Sequence, residues 1–194
     1  MPSLLSRGIA LACFLAASGS FAFAADGKPK PKVLVDFTRQ DAEIEAGVPK
    51  PIKKYDYSFE AWNNKLVFLD GKGILIPALP GRGGMGTDNR LSIGATNTHC
   101  LIEFIIGNRN ESESFTLSMV DADGTDVSWY INLKDKPRGV AITMPLDLAK
   151  PDMEDKPGKK PGFDKTKTKS WQIKGNWQEP KLEVLLVRIS ATTS

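Results

Sequence analysis

The chain has 194 residues with 26 Lys and Arg against 23 Asp and Glu, a net charge of +3, too weak a field to attract a polyanion by itself, so nucleic acid is not an expected partner. Hydrophobic residues at 41%, charged residues at 25%, and Gly and Pro spread without period exclude collagen-like and disordered chains. A folded domain is expected.

At the start of the chain, Arg7 is the only charge before Asp26, and it precedes an apolar run over residues 9–17, then Ser18-Gly19-Ser20 and Ala22-Phe23-Ala24. The run is too short for a membrane span of ~20 apolar residues, and the small residues of Ala22-x-Ala24 suit signal peptidase. Residues 1–24 therefore read as a signal peptide cut after Ala24, giving a secreted or periplasmic protein with no membrane span. A lipoprotein anchored through Cys13 is the competing reading, and Ala10-Leu11-Ala12 fits its cleavage box poorly. Loss of Cys13 leaves Cys100 alone, which excludes an intramolecular disulfide, a cysteine zinc site or a CxxC redox pair. Its neighbours Leu101 and Ile102 predict a buried, inert thiol.

Residues 25–32 alternate Lys with Pro and form an extended tether. A single domain then runs over 33–191, beginning with the strand Val33-Leu34-Val35-Asp36-Phe37. Further short apolar runs fall at 66–69, 74–76, 100–106, 115–120, 127–133, 140–146, 171–173 and 182–189, divided by Gly, Pro, Asn or Asp, and none shows a helical stripe. The Gly-rich segment 80–88 reads as a loop whose amides could cradle an anion, but neither Lys-Ser/Thr nor a helical pattern follows, so it is not a phosphate loop. Residues 151–169 have only Met153 and Phe163 as clear apolar side chains and read as a long surface loop, ordered around Pro161-Gly162-Phe163-Asp164. Short strands with strong turn chemistry predict an all-β, two-sheet antiparallel β-sandwich of jelly-roll type, with a closed barrel as the alternative.

The hairpin around Asp121-Ala122-Asp123-Gly124 fixes its own register. A two-residue loop mixes the faces of its strands. A three-residue loop, Ala122-Asp123-Gly124, places Phe115/Ile131, Leu117/Trp129 and Met119/Val127 on one apolar face, and Gly124 where a left-handed residue is needed. The other face then carries Ser114/Asn132, Thr116/Tyr130, Ser118/Ser128 and Val120/Asp126, a half-polar surface suited to water or ligand.

Candidates for chemistry are few. His99 is the only histidine, no G-x-S-x-G accompanies it, and it reads as structural at a strand edge. Asp121, Asp123 and Asp126 resemble a calcium loop only in part, because Gly124 comes two positions early and Asn132 stands where a bidentate Glu is required. Turn formation explains these residues, so no metal or cofactor is expected and a structural calcium is unsupported. Glu103 alternates with Leu101 and Ile105, as a solvent-facing position or an acceptor for sugar hydroxyls. A glycosidase needs a second carboxylate that the sequence does not identify. Among the aromatics, Trp129 is assigned to the core and Trp171 is expected to pack inward with Ile173, leaving Gln172 and Lys174 outward. Tyr130, Trp62 and Trp177, the last in a turn over 175–180, are candidates to stack on a sugar ring, with a structural packing role as the alternative for each.

The order of Val33-Leu34-Val35-Asp36-Phe37, Gly71-Lys72-Gly73-Ile74-Leu75-Ile76, Asp121-Ala122-Asp123-Gly124-Thr125 with Trp129, and Pro161-Gly162-Phe163-Asp164 before Trp171-Gln172-Ile173 and Val187-Arg188-Ile189 resembles carbohydrate-binding modules of the galactose-binding-like jelly-roll type. Such modules often carry an Asp before the last apolar pair that helps hold calcium; here Val187 and Arg188 occupy that stretch. The resemblance implies non-catalytic binding of a polysaccharide or glycan. Expected contacts are Glu103, Tyr130, Trp177 and Trp62, with Thr116, Ser118, Ser128 and Asn132 as hydroxyl partners. A structural or protein-interaction sandwich of the cell envelope, with an envelope protein as partner, is the second reading, and a hydrolase the third.

Overall fold

The computed structural model describes residues 30–38, 44–45, 48–49, 60–61, 66–79, 84–87, 90–175 and 181–193. The expected signal peptide and most of the tether lie outside them. The described strands are β1 (Lys32–Asp36), β2 (Ile44–Glu45), β3 (Val48–Pro49), β4 (Glu60–Ala61), β5 (Val67–Leu69), β6 (Gly73–Leu79), β7 (Gly84–Thr87), β8 (His99–Ile106), β9 (Ser114–Asp121), β10 (Asp126–Asn132), β11 (Ala141–Asp147), β12 (Met153–Lys156), β13 (Thr168–Gly175) and β14 (Leu182–Thr192), with a 3-10 turn over Lys165–Lys167. The first sheet has the order β11-β8-β14-β6-β5, with β1 also paired to β14; the second runs β12-β10-β9-β13-β7-β4, and β2 and β3 pair separately. All these pairings are antiparallel. The chain passes repeatedly from one sheet to the other, β6 to β7 to β8 to β9, and the result is the expected two-sheet sandwich of jelly-roll type rather than a closed barrel.

Period-two alternation explains why these segments bury as they do. In β8, Cys100, Ile102, Phe104 and Ile106 are buried while the residues between them are partly exposed. Across the sandwich Phe104 meets Phe115 of β9 edge-to-face at 5.1 Å, and Phe37 meets Trp171 of β13 at 6.1 Å. These contacts join the inner faces of the two sheets into one core. Burial pushes the Cys100 thiol up to about 12, so almost no thiolate exists near neutrality. Protein prepared without residues 1–24, whose only cysteine is Cys100, is therefore expected to stay unreacted with a chromogenic disulfide reagent at pH 8 while folded and to titrate one thiol on unfolding in urea; rapid labelling of the folded protein contradicts this placement.

The hairpin has the expected register, with Met119 opposite Val127, Leu117 opposite Trp129 and Phe115 opposite Ile131. Gly124 has φ +99°, in the left-handed region that a side chain resists. Asp121 is buried, and its Oδ1 accepts from the amides of Asp123, Gly124 and Thr125 at 3.0–3.1 Å. Turn formation thus uses this carboxylate. Among the described residues no group of three or more His, Cys, Asp or Glu side chains could hold a metal ion.

Two segments differ from expectation. Residues 84–87 of the expected Gly-rich loop form β7 against β13. A Cβ on Gly86 would lie 2.7 Å from Gln172 Cγ and 2.9 Å from the Trp171 carbonyl oxygen, so glycine here permits close strand approach while imitating loop composition. Within the expected surface loop 151–169, β12 pairs with β10 as the edge of the second sheet. All four of its residues are exposed, so no apolar alternation betrays it, and its charges suit an edge.

The rest of that segment folds down onto the hairpin turn. The Lys160 amide donates to Asp123 Oδ2 at 3.1 Å and the Asp164 amide to Asp121 Oδ2 at 2.9 Å, while Phe163 packs edge-to-face on Trp129 at 6.0 Å. Asp164 caps the 3-10 turn; hydrogen bonds from Lys167 and Thr166 hold its carboxyl down at about 2. Gly158 lies so close that a Cβ would sit 2.7 Å from the Thr125 amide nitrogen and strike the Asp123 and Thr125 side chains. Gly158→Ala is expected to destabilise the fold by about 1–3 kcal/mol, read as a lower urea midpoint. An unchanged midpoint means that the segment is not held against the turn.

Candidate functional site

The register of β10, β9 and β13 builds the outer face of the second sheet. Tyr130, Thr116 and Lys174 stand in one row across three strands, and Ser128, Ser118 and Gln172 in the next. Alternation that sends Leu117, Trp129 and Ile173 into the core sends these six outward. Gly86 of β7 stands beside Gln172, whose side chain occupies the space a Cβ would need.

Polar groups on this face are linked to one another. Lys174 Nζ donates to Ser118 Oγ at 3.3 Å, and Ser118 Oγ donates to Asp126 Oδ1 at 2.7 Å. Ser128 Oγ donates to Asp155, and the Tyr130 amide donates to Asp152 Oδ2 at 2.7 Å. Ser118 and Ser128 are buried even though they point away from the core; these bonds satisfy them. Tyr130 is the exception to this enclosure. Its residue is 48% exposed, and its hydroxyl donates to Met153 Sδ at 3.7 Å, so the sulfur of β12 props the ring on the sheet. The arrangement offers an aromatic ring beside hydroxyl, amide, ammonium and carboxylate groups, the donor and acceptor mixture that pyranose hydroxyls require.

Of the residues expected from sequence, Tyr130, Thr116, Ser118, Ser128 and Asn132 share this face, Asn132 with its Oδ1 accepting from the Lys134 amide at 2.8 Å. Glu103 does not join them. It lies on the outer side of the first sheet, between Thr143 of β11 and Arg188 of β14, and is ion-paired with Arg188 at 3.7 Å. Alternation along β8 set its side of a sheet correctly, but it carries no information about which sheet that is. Trp62 and Trp177 lie outside the described residues. His99, at the start of β8, exchanges a hydrogen bond with the Thr98 hydroxyl at 2.9 Å.

Several members of the face were not chosen from sequence. Gln172 and Lys174 were expected to point outward, but nothing local says that β13 lies beside β9. Met153, Asp152 and Asp155 come from the segment read as a loop and left no signal. Among the described residues no helix is long and apolar enough to cross a membrane.

No protein-family model matches the sequence, and no curated protein sequence matches it. The fold is similar to part of an agarase, AgWH50C, with a TM-score of 0.59 and 14% identity over 84% of this chain and 26% of that one. The chain thus spans about a quarter of the length of that enzyme. It also overlays, less closely, a mutant of the family 29 carbohydrate-binding module CBM29-2, at a TM-score of 0.49 and 12% identity over 86% of this chain and 94% of that one. The family 11 module of the cellulosomal cellulase Lic26A-Cel5E of Clostridium thermocellum gives a TM-score of 0.47 and 10% identity over 71% and 82%. At 14% identity the likeness to the agarase segment is one of fold alone.

Proposed function

We propose that the protein is exported and binds a polysaccharide without acting on it, along the outer face of the second sheet. The observation that carries this reading is Tyr130, half exposed on a sheet face otherwise built of hydrogen-bonding side chains. A ring tethered through its hydroxyl to Met153 costs little ordering when a pyranose stacks on it, and Thr116, Asn132, Gln172 and Lys174 on the same face are the partners for hydroxyls. Asp126, Asp152 and Asp155 each accept a hydrogen bond from the sheet and keep lone pairs for sugar hydroxyls. Likeness of fold to a segment of an agarase gives a first substrate class to try, and the signal-peptide pattern of residues 1–24 in the sequence supports export.

Affinity electrophoresis through gels cast with agarose-derived, β-glucan and other soluble polysaccharides tests this reading. At least one polymer is expected to retard the protein, with no release of reducing sugar from it on long incubation. Free migration through every gel, or release of reducing sugar, contradicts it.

A further inference from the structure

An open cleft of about 490 Å³ lies at the end of the sandwich, where the β8–β9 and β10–β11 connections meet the start of β14. Three of its lining side chains are cationic, Arg109, Arg138 and Lys181, and one is anionic, Glu111. Lys181 and Glu111 pair with each other at 3.0 Å. Arg109 pairs at 3.3 Å with Glu183, which lies buried behind it. Arg138 has no carboxylate within ion-pair distance among the described residues; its Nη1 donates to the Asn108 carbonyl oxygen at 2.6 Å. One positive charge is left over.

The cations are held in place before any ligand arrives. Glu183 Oε2 accepts from the Arg109 amide at 2.7 Å and its carboxylate from Arg109 Nε and Nη2 at 3.3–3.4 Å. These bonds leave Arg109 Nη1 as a donor, on a side chain that is 70% exposed. Asn110 is buried, accepts from the Glu183 amide at 3.0 Å and donates to the Ser112 carbonyl oxygen at 2.8 Å. Gly107 leaves no space for a side chain, because a Cβ there would lie 2.5 Å from Glu183 Cδ. A buried carboxylate thus holds one arginine of the cleft, and a second arginine lining the same cleft has no carboxylate partner among the described residues. A guanidinium presents parallel N–H donors that match the planar, two-oxygen geometry of an oxyanion, and the fork of Arg138 has no carboxylate on it among the described residues.

We propose that this cleft is a binding site for an oxyanion, a carboxylate or sulfate group, with Arg138 and Arg109 as its ligands. The group can be a substituent of an acidic saccharide or a small free anion; the chemistry of recognition is the same. None of the residues lining the cleft belongs to the Tyr130 face.

Calorimetric titration of the full chain with trigalacturonate, with a neutral galactose trisaccharide of the same length, and with sodium sulfate tests the proposal. The anionic trisaccharide is expected to bind at least about tenfold more tightly than the neutral one, the scale of one charge-assisted hydrogen bond. Arg138→Gln, a change at an exposed side chain, removes that advantage, and about 0.5 M NaCl reduces it by screening. Competition by millimolar sulfate identifies a site for free anions, and its absence identifies one that needs the saccharide. Tyr130→Ala is expected to leave the anionic preference intact, so failure here and failure of the polysaccharide face are read separately. Equal binding of anionic and neutral trisaccharides, or an unchanged preference in Arg138→Gln, overturns the proposal.

Discussion

Trp129→Ala lowers the unfolding free energy by about 3–5 kcal/mol, the range for removing a large buried ring. Trp129 is 2% exposed, lies in β10 of the second sheet, and packs on Phe163. Its Nε1 donates to the Asp147 carbonyl oxygen of β11 at 2.9 Å, so a single side chain ties the second sheet to the edge strand of the first. Trp129→Phe keeps most of the packing and removes only that hydrogen bond, since the carbonyl still accepts from the Lys150 amide at 3.1 Å, at a cost nearer about 1 kcal/mol. Urea unfolding followed by circular dichroism and by fluorescence measures both, and coincident transitions license the comparison. Equal losses for Ala and Phe mean that the ring's packing contributes little and the core has been placed wrongly.

The second large effect is on binding. Tyr130→Ala is expected to weaken polysaccharide binding by about thirtyfold or more, the scale of a central aromatic contact. Stability should change by no more than about 0.5 kcal/mol, as at an exposed position. Tyr130→Phe separates ring from hydroxyl: it keeps the stacking surface and loses only the hydrogen bond to Met153. It is expected to bind nearly as well as the wild type. Loss of binding in both variants, without loss of fold, assigns the contact to the hydroxyl instead of the ring.

Residues 129 and 130 show how far the sequence reaches. Apolar alternation on both sides of Asp123-Gly124 is enough to send one aromatic inward and the next outward, because a single-residue slip would reverse every side chain of the strand. Such reasoning is local. It places Thr116, Ser118, Ser128 and Asn132 beside Tyr130 because all five belong to one hairpin. It cannot bring Lys174 to the same row, since that depends on β13 docking against β9 across a long connection, and it cannot tell that Glu103 belongs to the opposite sheet. Gly86 and β12 were hidden for a different reason. A strand that needs close approach uses glycine, and an edge strand with four exposed residues needs no apolar side chain, so both take the composition of loops.

The most direct measurement of the central claim is a titration of isotopically labelled protein with an oligosaccharide of whichever polysaccharide retards it, following backbone amide shifts. The expected perturbations centre on Thr116, Tyr130, Asn132 and Lys174 and fade toward the first sheet, with the amides around Glu103 and Arg188 unmoved. Shifts centred on Glu103 and Arg188, with none around Tyr130, contradict it and place the binding face on the other side of the sandwich.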